Sequence, residues 1–231
     1  MNNVTIVIPV YNEEEIIIKN TRKLLQFMDG LDTTYEIIIY SNGSTDSTVE
    51  KGKELEERFP EKVRFFHTDK RGVGIAFREA VKNSSYNNII SVDMDLSIDL
   101  NFIPRCLNKL KNNSIVVGSK KIGTQHRSRF RLLASTIFIF LVKSLLGLNF
   151  HDYSIAAKGY RKRDIMDYLQ RIDDGSSYVI EILYLAKKNG LKMTEIPVFC
   201  EDTRRSKFNI YAESVYRLKN LLSLWFREMV L

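Results

Sequence analysis

Residues 89–99 read I-I-S-V-D-M-D-L-S-I-D, from Ile89 to Asp99. Ile89, Ile90 and Val92 make a short apolar run, as in a strand buried on both faces. The run stops at Asp93 and Asp95. Residues two apart in an extended chain point to the same side. The spacing therefore predicts two carboxylates converging just past a strand, in the crevice where open α/β sheets bind ligands. Such a pair repels itself unless a cation lies between, and hard divalent cations take oxygen ligands together with substrate phosphates. An isolated D-x-D is equally a solvated acidic turn. Its surroundings have to decide.

On the N-terminal side, apolar strands over Val4–Val10, Glu36–Tyr40 and Val63–His67 alternate with helical segments. Asn12 is expected to cap the first helix, which Gly30 stops. The turn S-N-G-S-T-D opens the second helix and K-R-G-V-G (Lys70–Gly74) the third. On the C-terminal side Ile115–Ser119 reads as a fifth strand. This alternation predicts an α/β fold, a mostly parallel, Rossmann-like sheet flanked by helices. Further on, an antiparallel strand is expected over Ile155–Tyr160, a helix over Tyr178–Asn189 and a last strand over Lys192–Cys200. Arg127–Leu148 is a helix apolar nearly all round, read as core or as membrane contact. Phe208–Leu231 is an amphipathic helix. Glu181, in mid-helix, is expected on the surface.

The chain has 231 residues, 44% of them hydrophobic and 27% charged, as in ordinary globular proteins, with a net charge of +7. That balance suits an anionic partner, whether nucleic acid, nucleotide or lipid surface. Cys106 and Cys200 are solitary, which predicts reduced thiols in a cytosolic setting. No signal peptide and no run of membrane-spanning length are visible. His67, His126 and His151 are scattered and read as structural. Gly72-Val73-Gly74 lacks the third glycine of a dinucleotide fingerprint, because Phe77 stands there.

Taken together, V-I-P-V-Y-N-E (Val7–Glu13), N-G-S-T-D-S-T (Asn42–Thr48), R-G-V-G-I-A (Arg71–Ala76) and V-D-M-D-L-S (Val92–Ser97) resemble the family 2 glycosyltransferases of GT-A fold. The similarity is closer to the polyprenyl-phosphate glycosyltransferases. It extends through V-G-S-K-K (Val117–Lys121), R-x-x-x-S (Arg131–Ser135), H-D-Y-S (His151–Ser154), Glu195–Val198 and R-R-S-K (Arg204–Lys207). The resemblance implies one domain over 1–231, with a nucleotide-sugar half (1–100), an acceptor half (101–207) carrying a helical extension, and a C-terminal amphipathic helix (208–231).

It also implies roles. Pro9, Tyr11, Glu13, Ser41, Asn42 and Met94 would line the nucleotide pocket beside Asp93 and Asp95. Those two aspartates, with Ser97, would hold Mg²⁺ or Mn²⁺ against the diphosphate of a UDP- or GDP-type donor. Lys120, Arg131, Ser135, Arg204, Arg205 and Lys207 would bind donor and acceptor phosphates, with Arg131 counted as catalytic alongside the two aspartates. The chain departs from the family pattern where Ser41-Asn42 replaces an acidic pair and where Asp152–Ala157 reads D-Y-S-I-A-A. The neutral pair predicts altered base discrimination.

The activity so implied is inverting transfer of a hexosyl or N-acetylhexosaminyl group to a polyprenyl (dolichyl) phosphate. The enzyme would work in the cytoplasm, peripheral at the inner face of the membrane. Alternatives are a hydroxyl acceptor with Asp152 as base, and a weakly active nucleotide-binding partner subunit. The apolar helix faces would meet lipid, or be buried in the fold or in a homo-oligomer. Nucleic acid is not an expected partner, since no RNP-like or zinc motif is present.

Overall fold

The structure, a computed structural model, describes residues 3–120, 129–200 and 210–229, with the backbone alone at 129–134 and 210–211. Seven strands form a single sheet in the order β3-β2-β1-β4-β6-β5-β7. They are β1 (Asn3–Val10), β2 (Thr34–Asn42), β3 (Val63–Thr68), β4 (Asn88–Ser91), β5 (Ile115–Ser119), β6 (Lys158–Arg161) and β7 (Met193–Pro197). Only β6 runs against its neighbours β4 and β5; the other pairings are parallel. The helices are α1 (Ile17–Asp29), α2 (Thr48–Arg58), α3 (Val73–Asn83), α4 (Phe102–Leu110), α5 (Arg129–Leu146), α6 (Lys162–Ile165), α7 (Tyr178–Lys188) and α8 (Ile210–Met229).

Burial explains the near-continuous apolar strands. Alternate residues of β1 and β2 feed two separate cores. Ile6, Ile8, Ile37 and Ile39 pack with α1 and α4, while Val7 and Ile38 pack with α3 and α7. A strand covered on both faces has no polar side to display.

Four local expectations are corrected. Asn12 does not cap α1. It adopts a left-handed backbone (φ 53°) and exchanges hydrogen bonds with Thr45, while α1 begins after Ile16. The expected strand over Ile155–Tyr160 is the shorter β6, and that over Lys192–Cys200 ends at Pro197, with Cys200 bridged to Ile98. Glu181 is buried, not on the surface: it accepts a hydrogen bond from the Asp173 amide and pairs with Arg227 of α8.

Candidate active site

Strand β4 ends at Ser91, and Val92 adds one more ladder bond, from its amide to the Val7 carbonyl. Asp93 and Asp95 therefore sit on the turn beyond the strand, not on its extended alternation. The turn closes with the Leu96 amide donating to the Asp93 carbonyl, and Leu96 itself is left-handed (φ 47°). Backbone strain of this kind is costly for a side chain bearing Cβ and clusters at functional sites. The Ser97 amide donates to Asp95 Oδ1 at 3.0 Å and orients that carboxylate. The Ser97 hydroxyl faces the Cys200 thiol.

Asp93 is exposed to water on one side, while protein packs densely around its other sides. That enclosure and the charge of Asp95 push its carboxyl up to about 6, against Lys120, the Ala156 amide and Lys158, which pull it down. Four chain segments thus meet at one point: the turn after β4, Lys120 at the end of β5, the 152–156 loop, and the start of β6. The loop is held tightly. Asp152 accepts hydrogen bonds from the amides of Lys120, Ser154 and Ile155 and from the Ser154 hydroxyl. Next to it, His151 is clamped by Glu195 through both its amide and Nδ1, at 2.8 Å each. The H-D-Y-S and E-I-P-V segments are therefore one assembly.

Burial would raise the Asp152 carboxyl, but Lys158, Lys120 and the Ser154 donors hold it below the usual carboxylate range. Lys158 is fully buried. Its ammonium donates to the Ile155 carbonyl, and burial pulls it down to about 8, although Asp152 and Asp93 act the other way. Sequence reasoning missed Lys158, because one lysine in a short strand carries no signal of its own. It also left Arg71 without a role. The Arg71 guanidinium lies over the Tyr11 ring, 3.3 Å from its centroid.

The nucleotide side is built from two loops zipped together. The amides of Asn12, Glu13 and Glu14 donate to Ser44, Thr48 and Asp46. Ser41 is buried and donates to Ser44. Asn42 uses both ends of its amide on backbone: Nδ2 donates to the Val10 carbonyl at 2.8 Å, and Oδ1 accepts from the Gly72 amide at 3.2 Å. It ties β1 to the R-G-V-G loop. Asn42→Asp would set a carboxylate against the Val10 carbonyl. We expect a loss of about 1–3 kcal/mol, read as a lower denaturant midpoint; an unchanged midpoint contradicts the tie.

Pro9, Tyr11 and Glu13 are half-buried at the carboxyl end of β1, and Met94 is buried in the aspartate turn. Ser135 is half-buried on α5. Arg131 belongs to the backbone of α5, while Arg204, Arg205 and Lys207 lie outside the described residues.

Comparison with known proteins identifies the fold and the family. A relative from Salmonella choleraesuis (strain SC-B67), undecaprenyl-phosphate 4-deoxy-4-formamido-L-arabinose transferase, is 29% identical over 98% of this chain. The chain spans 66% of the length of that relative. Among solved structures, mannosyl-3-phosphoglycerate synthase from Rubrobacter xylanophilus superposes with a TM-score of 0.72 at 14% identity, covering 98% of this chain and 74% of that one. Glucosyl-3-phosphoglycerate synthase from Mycobacterium tuberculosis, in complex with Mn²⁺, UDP and phosphoglyceric acid, has a TM-score of 0.69 at 18% identity, over 96% of this chain and 78% of that one. The fold is thus the GT-A fold expected from the sequence. The family model "Glycosyl transferase family 2" matches residues 5–169, more than half of the chain. The chain belongs to glycosyl transferase family 2.

Proposed function

We propose that this glycosyltransferase moves a sugar, with inversion, from a UDP- or GDP-type donor to a polyprenyl phosphate at the cytoplasmic surface of a membrane. The observation that carries the reading is the meeting of Asp93, Asp95, Lys120, the Ala156 amide and Lys158 beyond the end of β4. The carboxylates fit Mg²⁺ or Mn²⁺. They are hard oxygen donors whose mutual repulsion a cation relieves, and a site with one or two carboxylates leaves positions for substrate phosphates. Among the described residues no group of three or more His, Cys, Asp or Glu side chains gathers into a fuller metal cage. A divalent ion bound there would stabilise charge developing on the leaving diphosphate. Lys120 adds a cation at the same place.

The state of Asp152 favours a phosphate acceptor over a hydroxyl. A general base needs a free oxygen and a pKa near the working pH. Asp152 has its oxygens engaged by amides and a hydroxyl and stays ionised below the usual range. An acceptor phosphate is already ionised at neutral pH and demands no base. The relative, named for undecaprenyl phosphate, supports the same class.

The membrane part of the proposal rests on two helices. Among the described residues no helix is long and apolar enough to cross a membrane. Yet α5 exposes Ile137 and Phe140, and α8 exposes Val215, Leu218, Leu222, Phe226 and Met229 as a stripe at helical spacing. A helix with such a face lies in the lipid interface, helped by basic residues near anionic headgroups. The protein is expected to float with anionic vesicles at low salt and less as ionic strength rises. Phe140→Glu with Phe226→Glu should abolish flotation; equal flotation of that variant removes these faces from the account.

Metal dependence is tested by chelation. Transfer should cease in EDTA and return with Mn²⁺ or Mg²⁺, and undiminished turnover in EDTA contradicts the carboxylate assignment.

A further inference from the structure

We infer that α8, acting through Asp173, is part of the machinery that positions the donor pocket: it fixes the loop carrying Arg71 and so sets how tightly the nucleotide base is held. The inference rests on the proposed reading of Tyr11 and its surroundings as the base pocket.

A continuous series of contacts leads from the helix to that pocket. On α8, Tyr216 Oη donates to Asp173 Oδ1 at 2.7 Å, and Asn220 Nδ2 lies 3.4 Å from the same oxygen. The other carboxylate oxygen accepts from the Ser177 amide at 3.0 Å. Hydrogen bonds to an ionised acceptor are the stronger kind, so Asp173 fastens the 173–177 loop both to α8 and to the start of α7.

The next residue faces the opposite way. The Asp174 carbonyl accepts from the amides of Gly74 and Ile75 at 2.8 and 3.2 Å, and its carboxylate pairs with Arg78. These amides belong to the first turn of α3, whose N–H donors have no acceptor inside the helix. A Cβ on Gly72 would stand 2.5 Å from the Asp174 carbonyl, so the two backbones meet with no room for a side chain. From Gly72 the series passes through Asn42 to the Val10 carbonyl, beside Tyr11. Arg71, adjacent to Gly72, covers the Tyr11 ring. Any drift of the 173–177 loop therefore moves the residue that closes over the ring.

A purely structural role for α8 would make all its anchors equivalent. A second anchor exists to test this. Near the helix's C-terminal end, the buried side chain of Glu228 pairs with Arg171 and with Lys188 of α7, contacts that do not run through the Asp173 carboxylate or α3. Loosening it weakens the docking of α8 without breaking the series to the pocket.

The test is calorimetric titration of Mn²⁺ with UDP and of Mn²⁺ with GDP into the wild type, into Tyr216→Phe/Asn220→Ala, and into Lys188→Ala. Transfer is assayed in parallel. The double variant is expected to raise the Kd of the nucleotide that the wild type prefers about tenfold. The KM for the donor should rise with it, while kcat at saturating donor and the KM for the acceptor stay near wild type. Lys188→Ala should leave nucleotide affinity unchanged. An unaltered Kd in the double variant, or an equal rise in Lys188→Ala, overturns the inference while leaving the pocket reading intact. A wild type that binds neither nucleotide overturns both. Tyr216→Phe alone, which keeps the ring and removes only the hydroxyl, provides the same comparison if the double variant does not fold.

Discussion

Asp93→Asn is expected to abolish sugar transfer, by about a thousandfold or more in kcat, and at the same time to raise the thermal midpoint of the metal-free protein. The loss follows from removing one of two oxygen anions that would hold the cation against the donor diphosphate; a metal's stabilisation of transition-state charge is worth several kcal/mol, and about 1.4 kcal/mol is tenfold in rate. The gain follows from electrostatics in the unliganded state. Enclosure by protein and the charge of Asp95 push the Asp93 carboxyl up to about 6 from an ordinary value of 3.8.

Between those two values the folded state holds a proton that the unfolded chain has released. The stabilising contribution is then complete below about pH 4 and is lost as pH rises through about 6. The wild type without metal should lose stability across that window relative to Asp93→Asn, and Mn²⁺ should restore it to the wild type alone. Melting curves at pH 4, 6 and 7, with and without Mn²⁺, check this. A variant less stable than wild type at pH 7 without metal would mean that the aspartate is held by its neighbours and not strained by them.

Gly74→Ala is the second large effect, expected to remove about 3 kcal/mol of stability and to weaken nucleotide binding. Gly74 is an ordinary helical residue of α3, so local propensity favours the alanine. The obstacle is tertiary: a Cβ there would overlap the carbonyls of Asp173 and Gly175, which are backbone and cannot rotate away. Gly190→Ala makes a useful contrast, because nothing lies within 4 Å of a Cβ at that position and the cost is only that of its left-handed backbone (φ 66°). Urea denaturation measures both. If Gly74→Ala matches wild type, the loop is not packed against α3 as described.

The glycine pair illustrates how much the sequence discloses. That Gly72-Val73-Gly74 is not a dinucleotide fingerprint is readable from Phe77. What the glycines do instead depends on a loop a hundred residues away, and no local pattern reports it. Strands β1, β2 and β5 are legible because burial on both faces leaves nearly unbroken apolar runs, and the edge strand β3 is legible from V-R-F-F, with its alternating burial. Helix α4 was not, since F-I-P-R-C-L-N-K-L carries Pro104 inside it. In the first turn that proline costs nothing, as its missing amide would have no helical acceptor.

The aspartates were legible as a local pair, although their placement on a turn was not, because β4 stops at Ser91. Lys158 and Glu181 stayed hidden for one reason: each is a charge tolerated in the interior only because partners from other segments come to meet it. Asn42 was recognised as a departure from an acidic pair. Its function as a backbone tie emerges only when Val10 and Gly72 are seen on either side of it.

The account as a whole turns on what receives the sugar. A transfer assay with UDP- and GDP-sugars, Mn²⁺, and either a short polyprenyl phosphate or the matching polyprenol as acceptor decides it, with the anomeric configuration of the product read by NMR. The account predicts one preferred donor, a sugar attached to the lipid phosphate with inverted configuration, and no product on the alcohol. Transfer to the alcohol in preference to the phosphate, or retention of configuration, would contradict it.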